Sequence, residues 1–210
     1  MNTSFLKALP LLTALSASIA HAADVTLSVS GEISPVSCSL DVSNGGTFNF
    51  GEFNYFLGHT VYPVNNYSVM CPGGARIALK FTDNREGTEI SGGGPQAVTT
   101  RFGIGQDASG NNIGYNLYDV SLGLVDNDRG VFLHSSDDGQ NWRASPAPFL
   151  ADHQSTGLVS FGNLNDTSPA TVESVTGSID AHLTLADASD LDLTQDVDID
   201  GSATIELIYL

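Results

Sequence analysis

The feature that most constrains the fold is a period of two in the apolar residues. Apolar side chains alternate with Ala or Lys at 77–81, and apolar residues alternate again at 179–185. This is the repeat of a strand with two different faces, whereas an amphipathic helix repeats every 3.6 residues. Turn signals such as SNGG at 43–46 and TDNREG at 82–87 separate the runs. The pattern predicts an all-β fold, an antiparallel sandwich or barrel of short strands.

The first 22 residues have the organisation of a secretory signal peptide. Lys7 precedes an apolar run near 9–19, and the small residues of 20–22 form an A-x-A cleavage site. The run is too short to span a bilayer, so we expect export without membrane insertion; a retained anchor is the alternative.

Acidic residues dominate the charge of the chain. There are 24 Asp and Glu against 7 Lys and Arg, which gives a formal net charge of −17. Nucleic acids and anionic membrane surfaces repel such a chain, so neither is a predicted partner.

The chain has two cysteines, Cys38 and Cys71. In an exported protein an even count predicts a disulfide, and here one pairing is possible. Two free thiols in a reducing compartment are the alternative.

The segment 196–210, DVDIDGSATIELIYL, reads as one long strand. Its beginning also suggests a calcium loop, but Glu206 stands one position short of the EF-hand spacing. We therefore interpret the segment as a strand with an acidic face. The residues of its other face are Val197, Ile199, Gly201, Ala203, Ile205, Leu207 and Tyr209.

No arrangement typical of an enzyme is found in the sequence. It has no G-x-S-x-G motif and no closely spaced histidine pair. We predict no enzymatic activity, no cofactor and no metal.

Residues 135–142, SSDDGQNW, fit S-x-D-x-G-x-x-W, which resembles the Asp-box of sialidases and related β-propellers. The resemblance implies a hairpin turn held by Asp137, with Trp142 packed beneath it. An exposed Trp142 that contacts a sugar is the alternative.

A further strand pattern follows the signal peptide at 23–33. Nothing blunts its edge before Pro35, although Pro, Lys or a bulge usually protects a free edge. The strand either pairs within its own fold or joins the sheet of another molecule.

Four segments together resemble subunits of chaperone–usher pili, and in particular the beta-fimbriae probable major subunit family. They are SVSGEISPVSC at 28–38, YSVMC at 67–71, ALKFTDNREGT at 78–88 and GSATIELIYL at 201–210. The resemblance implies an incomplete immunoglobulin-like sandwich, the pilin fold, with a donor strand at its N-terminus. Its parts would be a signal peptide (1–22), a donor extension (23–33) and one sandwich domain (34–210).

The resemblance also implies a function. The chain would be a structural subunit, the major one, of a fimbria on the surface of a Gram-negative bacterium, and the fimbria would support adhesion. Its partners would be identical or related subunits, a periplasmic chaperone and an outer-membrane usher. The donor residues would be Val25, Leu27, Val29 and Gly31. The strand that meets the chaperone and lines the groove would comprise Gly201, Ala203, Ile205, Leu207, Tyr209 and Leu210. A secreted carbohydrate-binding sandwich is the alternative function.

Overall fold

The structure, a computed structural model, describes residues 37–52, 62–92, 96–145 and 148–210. The predicted signal peptide and donor strand lie outside these residues. The described part contains strands and short 3-10 turns, and no α-helix is found in it. Within the same ranges no helix has the length and hydrophobicity to cross a bilayer. In chain order the strands are β1 (Ser39–Val42), β2 (Val64–Ala75), β3 (Ile77–Asp83), β4 (Phe102–Gly103), β5 (Gly114–Val125), β6 (Gly130–Ser135), β7 (Arg143–Ser145), β8 (Phe149–Leu150), β9 (Leu158–Asn163), β10 (Val172–Leu185) and β11 (Ala203–Tyr209).

The strands form two antiparallel sheets. The first has the order β1-β2-β10-β5-β4, with β8 also paired to β5, and the second has the order β11-β3-β9-β6-β7. Every pair of named strands is antiparallel. The prediction of an all-β chain with antiparallel sheets is therefore confirmed.

The core lies between the two sheets. In β3 the alternating residues Ile77, Leu79 and Phe81 are at most 3% exposed, and they share one apolar cluster with Val175 and Ile179 of β10. Because β3 and β10 belong to different sheets, the cluster joins the inner faces of both. The period-two pattern thus marks the face that each strand buries.

Gly177 of β10 shows how tightly this core is packed. It stands opposite Tyr67 of β2, and a Cβ atom added to it would lie 2.5 Å from Cε1 of that ring. The added atom would also collide with the backbone oxygen of Ser121. Only glycine leaves room here for the buried tyrosine ring to cover the sheet.

A disulfide joins the first sheet to the residue that precedes β1. Cys38 and Cys71 are bonded, with their Cα atoms 4.2 Å apart. The predicted pairing is confirmed. Because Cys71 is fully buried in β2, the bond fixes the beginning of the edge strand β1 to the core.

The prediction of one strand from residue 196 to the end of the chain is wrong in its first half. β11 begins at Ala203, and Gly201 lies before the strand. The backbone N–H of Asp200 donates to the carbonyl oxygen of Ile104 at 2.9 Å, and the Asp200 carboxylate pairs with Arg85 at 2.6 Å. These contacts tie Asp200 to Ile104, which directly follows β4, and to Arg85, which lies beyond the end of β3.

Candidate functional site

The strands β1 and β11 are edge strands on the same side of the molecule. Among the described strands each has a neighbour on one side only, β2 for β1 and β3 for β11. The backbone N–H of Cys38 donates to the hydroxyl oxygen of Tyr209 at 2.6 Å, which places the beginning of β1 beside the end of β11. We call the cleft between these two strands the edge groove.

The backbone of β11 presents alternate residues to the edge groove. Leu210 N–H donates to the Arg76 oxygen at 3.0 Å, and Asn84 N–H donates to the Ser202 oxygen at 2.9 Å. In an antiparallel pair such bonds recur at every second residue, so the even-numbered residues of β11 face β3. The intervening residues direct their N–H and C=O groups to the open edge. These residues are Ala203, Ile205, Leu207 and Tyr209.

The apolar side chains of the edge groove are only half-buried. Ile205 and Leu207 of β11, together with Leu40 and Val42 of β1, pack against the core but keep part of their surface in water. The core-facing side chains of the neighbouring strand β3, such as Leu79, are almost fully covered. Among the described residues, the core is therefore covered at β3 and partly exposed between the edge strands. Covering these half-buried side chains would be favourable, because removing apolar surface from water lowers the free energy by about 25 cal/mol per Å².

A wider cavity lies beyond the beginning of β11. Its volume is about 940 Å³, and its apolar walls include Phe50, Leu191 and Ile199. Glu52 and Asp198 are among the acidic residues that line it. In the described part of the chain no group of three or more His, Cys, Asp or Glu side chains is arranged to hold a metal ion.

Asp107 fixes one wall of this cavity. Its carboxylate accepts hydrogen bonds from the backbone N–H groups of Asp192 at 2.7 Å, Asn111 at 2.8 Å and Ser109 at 2.9 Å. The donor on Asp192 contributes most to lowering the pKa of Asp107 to about 2, because each of these bonds favours the charged carboxylate. The loop of Asp107 thus ties down the segment between β10 and β11.

The predicted hairpin at 135–142 is confirmed. It connects β6 to β7, and the Asp137 carboxylate accepts from the side-chain amide of Asn141 at 2.7 Å and from its backbone N–H at 2.9 Å. The hydroxyl of Ser135 donates to the same carboxylate at 2.7 Å. These bonds lower the pKa of Asp137 to about 2, and the bond from the side-chain amide of Asn141 contributes most. Asp137 therefore holds the turn as the Asp-box resemblance implies.

Trp142 is half-buried beneath this turn. A methyl group on Gly139 would lie 3.3 Å from Cζ2 of Trp142, 3.6 Å from Leu158 Cδ1 and 3.9 Å from Leu210 Cδ2. The three side chains therefore converge on Gly139. This convergence favours a packing role for Trp142 over contact with a sugar.

The structure brings together some of the residues predicted for the groove and separates others. Ala203, Ile205 and Leu207 line the edge groove, and Tyr209 lies at its end. Gly201 precedes the strand, and the side chain of Leu210 approaches the hairpin of Trp142. The predicted donor residues Val25, Leu27, Val29 and Gly31 lie outside the described residues.

Sequence reasoning missed the opposite wall of the groove. Leu40 and Val42 belong to β1, and both pack against the core cluster. The signal was present, since SLDV alternates polar and apolar residues directly after Cys38. Four residues are too short a run to identify a strand without its partner.

Comparison with known proteins gives one weak relative. The chain is 26% identical to the uncharacterized protein YhcF of Escherichia coli K12 over 224 residues, which cover 91% of this chain and 93% of the relative. No protein-family model matches the chain. No solved structure matches it either.

Proposed function

We propose that this protein is a structural subunit, the major one, of a chaperone–usher fimbria and that it polymerises by donor-strand exchange. The strand at 23–33 of one copy fills the edge groove of the next copy. A periplasmic chaperone occupies the groove before assembly, and an outer-membrane usher exports the growing fibre. The finished fimbria supports adhesion at the surface of a Gram-negative bacterium.

The observation that carries the proposal is the edge of β11 that faces away from β3, which no other described strand covers. Ile205 and Leu207 are half-buried, and their backbone N–H and C=O groups point away from β3. An added strand would bond these backbone groups and cover these side chains at once, because its own backbone pairs with the edge and its alternate side chains pack against Ile205 and Leu207. Val25, Leu27 and Val29 have the period of two that such a strand requires.

The direction of the two edge strands sets the polarity of the fibre. Cys38 directly precedes β1, and β11 ends beside it at Tyr209, so the extension of each copy would leave the sandwich at that end. An open head-to-tail chain then places the donating copy at the opposite end of the acceptor, where β11 begins at Ala203. The donor strand therefore runs antiparallel to β11, with Val25 near Tyr209. A strand folded back into its own groove would run parallel to β11.

The first test uses charges on the donor strand. Leu27→Lys combined with Val29→Lys should leave the subunit exported but abolish the ladder of polymers that resists detergent without heating. The matched control is Thr26→Lys with Ser28→Lys, which adds the same charge to the other face of the strand and should retain the ladder. A normal ladder from the Leu27 and Val29 variant would refute strand exchange.

The second test concerns polarity. A photo-crosslinking residue at position 25 should react with the end of β11 near Tyr209, and the product should have the mass of two chains. Reaction within a single chain near Ala203 would show instead that the strand pairs with β11 of its own chain.

A secreted carbohydrate-binding sandwich remains the alternative function, but the packing of Trp142 does not favour it. A lectin would be a stable monomer without any partner strand, whereas an incomplete sandwich would not. Whether the purified chain is a stable monomer therefore distinguishes the two functions.

A further inference from the structure

The end of the edge groove is bridged by one side chain. Tyr209 stands opposite Ile77 of β3 in the strand register, and its hydroxyl accepts a hydrogen bond from the backbone N–H of Cys38, beside the other sheet, at 2.6 Å. Cys38 is held in turn by its disulfide to the fully buried Cys71. The hydroxyl thus ties one side of the groove, the edge strand β11, to a residue that the disulfide holds in place.

The same N–H is a group that an incoming strand needs. It stands directly before Ser39, the first residue of β1, and it points toward β11 because it bonds the Tyr209 hydroxyl. A strand lying between β1 and β11 would offer a carbonyl oxygen to this position. The phenol oxygen and the incoming strand therefore compete for one donor, and both cannot bind it with good geometry.

We infer that the Tyr209 hydroxyl is a latch that keeps the edge groove closed at this end until a strand displaces it. The inference rests on the proposed function, because it concerns how the same groove is opened. The latch slows entry of the donor strand and protects the edge from indiscriminate pairing, which is a hazard for any exposed edge strand. It leaves the other end of the groove, at Ala203, free for first contact.

The expected effect follows from the loss of one neutral hydrogen bond. Tyr209→Phe keeps the ring and removes the oxygen, so Cys38 N–H is released without a change in packing. If this bond contributes the net free energy that is usual for a neutral hydrogen bond, its loss should make entry of the strand about fivefold faster. The amide proton of Cys38 should also exchange faster with solvent in the variant, before any partner is added.

The experiment measures uptake of a fluorescent peptide of residues 23–33 by the purified chain. Wild type, Tyr209→Phe and Tyr62→Phe are compared. Tyr62 is 57% exposed and Tyr209 is 52% exposed, so the control removes a hydroxyl from a similarly exposed tyrosine, whose ring lies against His182 of β10. The latch predicts faster uptake and faster exchange for Tyr209→Phe alone.

Two outcomes overturn the latch in distinguishable ways. If all three proteins take up the peptide at the same rate, or if Tyr209→Phe is slower, the latch is refuted while strand exchange stands. If none takes it up and the wild type forms no polymers, the proposed function fails and the latch fails with it.

Discussion

Ile205→Asp is the sharpest perturbation of the proposed groove. In the isolated subunit the residue is half-buried, so the introduced carboxylate can reach water and the chain should still fold. If a donor strand fills the groove, we expect the position to become as covered as Phe81, its partner in β3, which is 3% exposed. The substitution therefore costs little until a donor strand arrives.

The magnitude follows from the charge. A buried, unpaired carboxylate takes up a proton, and at pH 7 protonation of a group with an ordinary Asp pKa near 3.9 costs about 4 kcal/mol. The lost burial of the Ile side chain adds about 1 kcal/mol. Binding of the donor peptide should therefore weaken by about three to four orders of magnitude.

The pH dependence provides the decisive signature. Filling the groove raises the pKa of the introduced carboxyl, so the bound state carries one more proton than the free state. Binding must then strengthen as the pH falls, by about tenfold per unit between pH 7 and pH 5. Titration of peptide binding at pH 7, 6 and 5 measures this slope.

Thr204→Asp is the matched control. Thr204 is exposed on the outer face of the same strand, next to Glu206, which already places a carboxylate there. The Thr204→Asp variant should bind the donor peptide as tightly as wild type at each pH. Equal binding by both variants, or a loss for Ile205→Asp without pH dependence, would refute burial of this row by a donor strand.

Three further predictions concern the stability of the sandwich. Replacing Cys38 and Cys71 by Ala should lower the free energy of unfolding by about 3–4 kcal/mol, because the bond closes a loop of 33 positions; an unchanged urea midpoint would contradict this. Gly177→Ala should cost about 3 kcal/mol by forcing a methyl group against a buried ring and a backbone oxygen, again measured in urea. Because its pKa is lowered to about 2, Asp137 stabilises its turn above the ordinary Asp pKa, and this contribution is lost as the pH falls through 2. Emission of Trp142, the single tryptophan, should change in that acid range, and Asp137→Asn should remove the transition.

Local pattern was sufficient for much of the fold. The alternation at 77–81 predicts β3, and the motif at 135–142 predicts the hairpin between β6 and β7. Both features depend on neighbours within a few residues. The disulfide could also be predicted from the sequence, because two cysteines allow one pairing.

Local pattern failed where distant partners decide the backbone path. The period of two continues without interruption from Val197 to Tyr209, yet the strand begins only at Ala203. Asp200 bonds to Arg85 and Ile104 instead of continuing the strand, and neither partner is visible in the alternation itself.

The sequence by itself determined which residues alternate, where the turns fall, which cysteines pair and that the chain is strongly acidic. Each of these depends on residue type and short spacing. Only the tertiary structure decided that β1 and β11 form the two walls of one groove and that Tyr209 meets Cys38 across 171 positions of chain. Strand order is set by which apolar faces bury one another, and that is a property of the assembled sandwich rather than of any one segment.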